Sequence, residues 1–103
     1  MIVQHSGLVP FTVPRGTYNS TGEVVSFRRS GAYAPLRSAH IAIFVYSGTA
    51  LVALDGNASG PFIEIEPEGA LDFPVATTEV YVKAKTTPCE VGIVAALNPI
   101  EPS

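Results

Sequence analysis

Ser38-Ala39-His40-Ile41-Ala42-Ile43-Phe44-Val45-Tyr46-Ser47-Gly48-Thr49-Ala50-Leu51-Val52 reads as two apolar runs parted by a small turn. From His40 to Tyr46 the side chains alternate as a strand requires, with Ile41, Ile43 and Val45 on one side. The other side carries His40, Ala42, Phe44 and Tyr46, which is also mostly apolar. A strand apolar on both faces needs cover on both. Ser47-Gly48 separates this run from a second one, Thr49 to Leu54, and a two-residue Ser-Gly link predicts a tight hairpin between them.

The same alternation recurs on both sides of this centre. Leu8–Val13 contains Pro10 and precedes Pro14, so a strand there must lie at a sheet edge, because proline has no N–H to donate. Arg15–Gly22 and Ser30–Ser38 read as loops. Glu23–Arg29 puts Val25 and Phe27 on one face. Phe62–Glu66 puts Ile63 and Ile65 inward, and Ala70–Val75 follows the turn at Pro67-Glu68-Gly69. Glu79–Lys85 points Val80, Val82 and Ala84 inward and Tyr81, Lys83 and Lys85 outward. Cys89–Leu97 has a core face of Val91, Ile93, Ala95 and Leu97. No window shows helical spacing. About eight short strands at roughly ten-residue spacing predict an all-β fold: one small antiparallel β-sandwich of jelly-roll or Greek-key topology. The domain is expected to span 1–103, with an extended N-terminal arm over about 1–14 and a C-terminal tail over about 98–103.

Composition narrows the function classes. The 103 residues are 47% hydrophobic and only 15% charged, which excludes a disordered chain or a coiled coil. The apolar excess goes either into a dense core or onto a surface that a partner covers. Net charge is −3, which argues against non-specific nucleic-acid binding. Charge is polarised along the chain. Residues 1–54 hold four arginines against Glu23, a net +3, and residues 55–103 hold Lys83 and Lys85 against eight acids, a net −6. No run is long enough to span a bilayer as a helix, and no signal peptide is expected from the first residues.

Chemistry-bearing residues are sparse. Cys89 is the only cysteine and reads as a small buried hydrophobe. His5 and His40 have no close companions with which to build a metal site. Glu64, Glu66 and Glu68 read as a solvated acidic edge, and Asp55-Gly56-Asn57 as a β-turn. No catalytic residue, metal or cofactor is expected. The candidate partner interface comprises Arg28, Arg29 and Arg37, as a basic cluster, with His40, Phe44 and Tyr46 from the central strand.

The order of Ser38–Val52, then Ile65-Glu66-Pro67-Glu68-Gly69-Ala70-Leu71-Asp72-Phe73-Pro74, then Val80-Tyr81-Val82-Lys83-Ala84-Lys85 resembles small β-sandwich head decoration (cement) proteins of tailed bacteriophages. The resemblance covers about residues 38–97 and includes no diagnostic motif. It implies a non-enzymatic protein, made in the host cytoplasm, that sits on the outside of an assembled capsid. Its partners would be further copies of itself, as a dimer or trimer, and the major capsid protein. No nucleic acid, membrane or small-molecule substrate is expected. The alternative is a glycan- or receptor-binding β-sandwich of a phage tail or adhesin, with Tyr18, Tyr33, Tyr46 and Tyr81 as candidate contacts.

Overall fold

The structure is a computed structural model that describes residues 8–28 and 34–99. It contains eight strands in chain order: β1 (Val9–Tyr18), β2 (Glu23–Ser26), β3 (Ser38–Ser47), β4 (Ala50–Ala53), β5 (Ile63–Ile65), β6 (Ala70–Phe73), β7 (Glu79–Ala84) and β8 (Cys89–Leu97). They form two four-stranded antiparallel sheets, ordered β1-β8-β3-β6 and β2-β7-β4-β5. Only β4 and β5 are both consecutive and paired; every other connection crosses between sheets. That pattern is the jelly roll.

The Ser47-Gly48 link is therefore not a hairpin. It carries the chain from β3, in one sheet, to β4, in the other. Gly48 has φ +72°, and a Cβ built there would stand 2.8 Å from the Pro88 carbonyl oxygen and from Cys89 Cα. The crossover thus passes directly over the neighbouring β7–β8 crossover, at Thr86-Thr87-Pro88. What selects crossing over pairing is the partner set: β3 is claimed on both sides by β8 and β6, leaving it no free edge for β4.

The N-terminal region also differs from expectation. Residues 9–14, read as part of an arm, are the first half of β1, and the strand continues to Tyr18 through what reads as a loop. β1 is an edge strand, as Pro10 requires, and its register on β8 shifts between Val13 and Gly16, where Pro14 cannot join the ladder. Arg29, Tyr33, the arm's first seven residues and the tail from 100 onward lie outside the described residues.

The core lies between the sheets. Ile41, Ile43 and Val45 of β3 and Val91, Ile93, Ala95 and Leu97 of β8 meet Val52, Val80, Val82 and Ala84 from the other sheet. Phe27, fully buried, meets Phe11 edge-on at 5.8 Å and ties β1 to the segment after β2. Each such side chain contributes about 1.5–3 kcal/mol by leaving water. Ser38 is the one buried polar residue among those described, and it is fully bonded. Its N–H donates to the Thr77 carbonyl (2.8 Å), its hydroxyl donates to the Val75 carbonyl, and that hydroxyl accepts the Thr77 N–H (3.0 Å). Ser38 therefore pins the β6–β7 connection to the start of β3.

Candidate functional site

The outer face of the β1-β8-β3-β6 sheet follows from period-two alternation. With Ile41, Ile43 and Val45 inside, β3 presents His40, Ala42, Phe44 and Tyr46 outward. On β8 the outward positions are Glu90, Gly92, Val94 and Ala96, and the register sets Val94 beside Ala42 and Gly92 beside Phe44. β1 adds Pro10 and Thr12 next to Ala96 and Val94. β6 adds Ala70 and Asp72 next to Phe44 and Ala42. Phe44, Tyr46 and Val94 remain 42%, 45% and 44% exposed, so the centre of this face is apolar and open to water.

One end of the face is built around Tyr46. Gly92 has no side chain, and a Cβ there would lie 3.2 Å from the Tyr46 ring, so glycine lets the ring lie flat over β8. The Arg15 guanidinium stands over the same ring at 4.5 Å from its centroid and donates to Glu90 Oε1 at 2.6 Å. The Ser47 hydroxyl donates to the same oxygen at 3.2 Å. The hydrogen bond from Arg15, and then its charge, hold the Glu90 carboxyl below the ordinary carboxylate range. At the other end His40 Nε2 meets Asp72 Oδ1. Charged groups thus flank the exposed apolar residues, Arg15 and Glu90 beside Tyr46 and Asp72 on β6 beside Ala42.

Beside Tyr46 the face dips into a shallow cavity of about 360 Å³ lined by Arg15, Phe44, Val45, Tyr46, Glu68 and Gly69. Its far wall is a turn in which the Gly69 N–H donates to the Glu66 carbonyl at 2.9 Å. The turn is tied to β3 by the Glu68 N–H to the Val45 carbonyl (2.7 Å) and the Val45 N–H to the Gly69 carbonyl (3.0 Å). Pro67 and Glu68 occupy its central positions, and Glu68 has φ +66°, where glycine would be strain-free. Glu68 is the only described non-glycine residue with positive φ, and it lines this cavity.

Of the six expected interface residues, the structure gathers His40, Phe44 and Tyr46 on this face. Arg28 follows β2, in the opposite sheet, and Arg37 precedes β3, where its carbonyl accepts the Asn98 N–H at 2.8 Å. Neither lines the cavity at Tyr46, while the Leu36 N–H donates to the Phe27 carbonyl at 3.1 Å and so brings the segments that carry them together; Arg29 lies outside the described residues. Sequence reading missed Arg15, Glu68, Asp72 and Glu90. Val94 was within reach, since a strand with Val91 and Ile93 inside must turn Val94 out.

Other candidates resolve into structure. Glu64 takes Lys85 on both oxygens, at 3.0 and 3.1 Å. Asp55 accepts the Asn57 N–H and Asn57 accepts the Ser59 N–H, which are successive Asx turns. Tyr81, expected to point outward, is buried by the β1–β2 loop, its hydroxyl donating to the Thr21 carbonyl. Cys89 is buried, and burial pushes its thiol up. No three His, Cys, Asp or Glu side chains converge among the described residues, and the core cluster is aliphatic or aromatic apart from Cys89.

No protein-family model matches the sequence, and no curated protein matches it. Among solved structures the chain is similar to a cupin superfamily protein from Desulfitobacterium hafniense. The TM-score is 0.51 at 13% identity, over 94% of this chain and 84% of that one. It is also similar to an HTH_3 family transcriptional regulator from Vibrio cholerae, with TM-score 0.51 at 16% identity. That match covers 91% of this chain but only 45% of the regulator, so the chain spans less than half of that protein's length. At such identities the likeness carries the fold alone, a small jelly roll.

Proposed function

We propose that this protein is a non-enzymatic assembly module that works by docking the outer face of its β1-β8-β3-β6 sheet onto another protein. The observation that carries the reading is the contiguous exposed patch of Phe44, Tyr46 and Val94. A tightly packed sandwich with an aliphatic interior and an open apolar sheet is suited to binding by surface rather than to enclosing a substrate. The resemblance of residues 38–97 to phage head decoration proteins makes the outside of an assembled capsid the surface we propose, and the virion the location. The solved neighbours bear only on the fold.

Geometry bounds the strength of such docking. Four strands about 4.8 Å apart and roughly eight residues long make a face of ~500 Å². Two such faces in contact bury ~1,000 Å², the lower end for a specific interface. A single copy would therefore hold weakly. A dimer or trimer engaging a repeating coat lattice through several faces would hold far better, because each later contact is intramolecular. The test is cosedimentation with capsids assembled from the major coat protein of the genome that encodes this chain. Wild type should pellet with the particles and Val94→Asp should stay in the supernatant. Equal pelleting of both, or of neither, sinks the reading.

A further inference from the structure

A second cavity of about 330 Å³ lies away from the docking face, where the turn after β4 (Leu54, Asp55), the approach to β5 (Pro61, Phe62, Ile63) and the β6–β7 connection (Val75, Ala76, Thr77) meet. Its size falls within the usual range for small-ligand sites. Its walls are set before any ligand arrives. The Asx turns at Asp55 and Asn57 shape one side, and the Ser38 bonds to Val75 and Thr77 fix the other. Six of its eight lining residues are apolar, with Ile63 well exposed toward solvent.

The polar remainder of the lining specifies charge. The Thr77 hydroxyl is already committed, donating to the Glu79 carbonyl (2.8 Å) and accepting the Glu79 N–H (3.4 Å). Asp55 is the only charged lining residue. One of its oxygens accepts the Asn57 N–H at 3.0 Å. The Glu79 carboxylate lies beside Gly56, the next residue of the same turn, and the Lys83 ammonium stands over the outer Phe62 ring, 4.4 Å from its centroid; neither lines the cavity. An apolar cleft whose one charged lining residue is a carboxylate favours cations over anions.

We propose that this cavity binds an aliphatic ammonium group, the alkyl stem lying against Leu54, Ile63 and Val75 and the cation meeting Asp55. The group can come from a free amine or from a lysine of a partner polypeptide. The site is separate from the docking face and does not depend on the capsid reading. The experiment is an NMR titration of the full chain with n-hexylammonium, hexanoate and N-acetyl-lysine amide. n-Hexylammonium should saturate with a millimolar Kd, shifting Leu54, Ile63 and Val75 while leaving Phe44 and Val94 unmoved, and hexanoate should not saturate. Asp55→Asn keeps an oxygen for the Asn57 N–H and should weaken the amine about two- to fivefold, the scale of one exposed ion pair. Binding of N-acetyl-lysine amide as well identifies the polypeptide source; binding of hexylammonium alone identifies the free amine. Equal binding of hexanoate, no saturation by either cation, or an Asp55→Asn variant of unchanged affinity overturns the proposal.

Discussion

Gly48 tests the jelly-roll crossing more sharply than any core residue. If Ser47-Gly48 closed a hairpin, the only demand on residue 48 would be its positive φ, and asparagine, which tolerates that region, would serve nearly as well as glycine. In the crossover a Cβ at this position stands 2.8 Å from the Pro88 carbonyl oxygen and Cys89 Cα, and 2.9 Å from Cys89 Cβ. Two of these are backbone atoms, so no rotamer change relieves them. For Gly48→Ala the left-handed backbone costs about 1–2 kcal/mol, and forced displacement of the β7–β8 link adds roughly 1–3 kcal/mol. The total, about 2–5 kcal/mol, is a large share of the roughly 5–15 kcal/mol that holds a domain of this size together. Gly48→Asn escapes most of the backbone cost but not the contact, because its Cβ meets the same atoms, and should lose about 1–3 kcal/mol. Urea unfolding followed by circular dichroism measures both; at about 1–2 kcal/mol per molar urea the midpoint should fall by at least ~1 M for alanine and ~0.5 M for asparagine. An asparagine variant within about 0.5 kcal/mol of wild type would refute the crossover packing.

Four further outcomes follow from named contacts. Glu68→Gly relieves the positive φ of a turn that already has proline before it, and should raise stability by about 1 kcal/mol in thermal unfolding. Val94→Asp lies on an exposed face and should leave stability within about 0.5 kcal/mol of wild type by the same assay. Because Arg15 lowers the Glu90 carboxyl, the bond's contribution is present above the ordinary value of 4.5 and fades as pH falls through the lowered one. A carboxyl NMR titration should therefore place Glu90 below 4.5, and Arg15→Gln should return it toward that value. Cys89, buried and with its thiol pushed up, should resist thiol reagents in the folded protein and react only on unfolding.

How far the fold could be read in advance depended on the range of the interactions involved. Strand positions are local: alternation placed Ile41, Ile43 and Val45 opposite Phe44 and Tyr46, and placed Val91, Ile93, Ala95 and Leu97 on the core side, all as found. Strand partnering is not local. A short Ser-Gly link serves a hairpin or a crossover equally well, and the choice is made by β8 and β6, distant in the chain, occupying both edges of β3. Pro10 announced an edge strand, but the bulge that carries β1 past Pro14 to Tyr18 depends on β8 accepting a shifted register. The outer face of the β1-β8-β3-β6 sheet divides in the same way. Its apolar half belongs to one strand and shows in the alternation. Its polar half joins Arg15 to Glu90 and His40 to Asp72 across strands, which only the sheet order reveals.

Hydroxyl-radical footprinting of the protein alone and bound to coat-protein particles decides whether the β1-β8-β3-β6 sheet is the side that docks. It reads the oxidation rate of each aromatic side chain. Phe44 and Tyr46 share the proposed docking face, while Phe62 packs against Tyr81 of the other sheet and serves as an internal reference. Phe44 and Tyr46 should be oxidised readily in the free protein and protected in the particle, with Phe62 unchanged. Oxidation of Phe44 and Tyr46 as fast in the particle as in the free chain would overturn docking through this face.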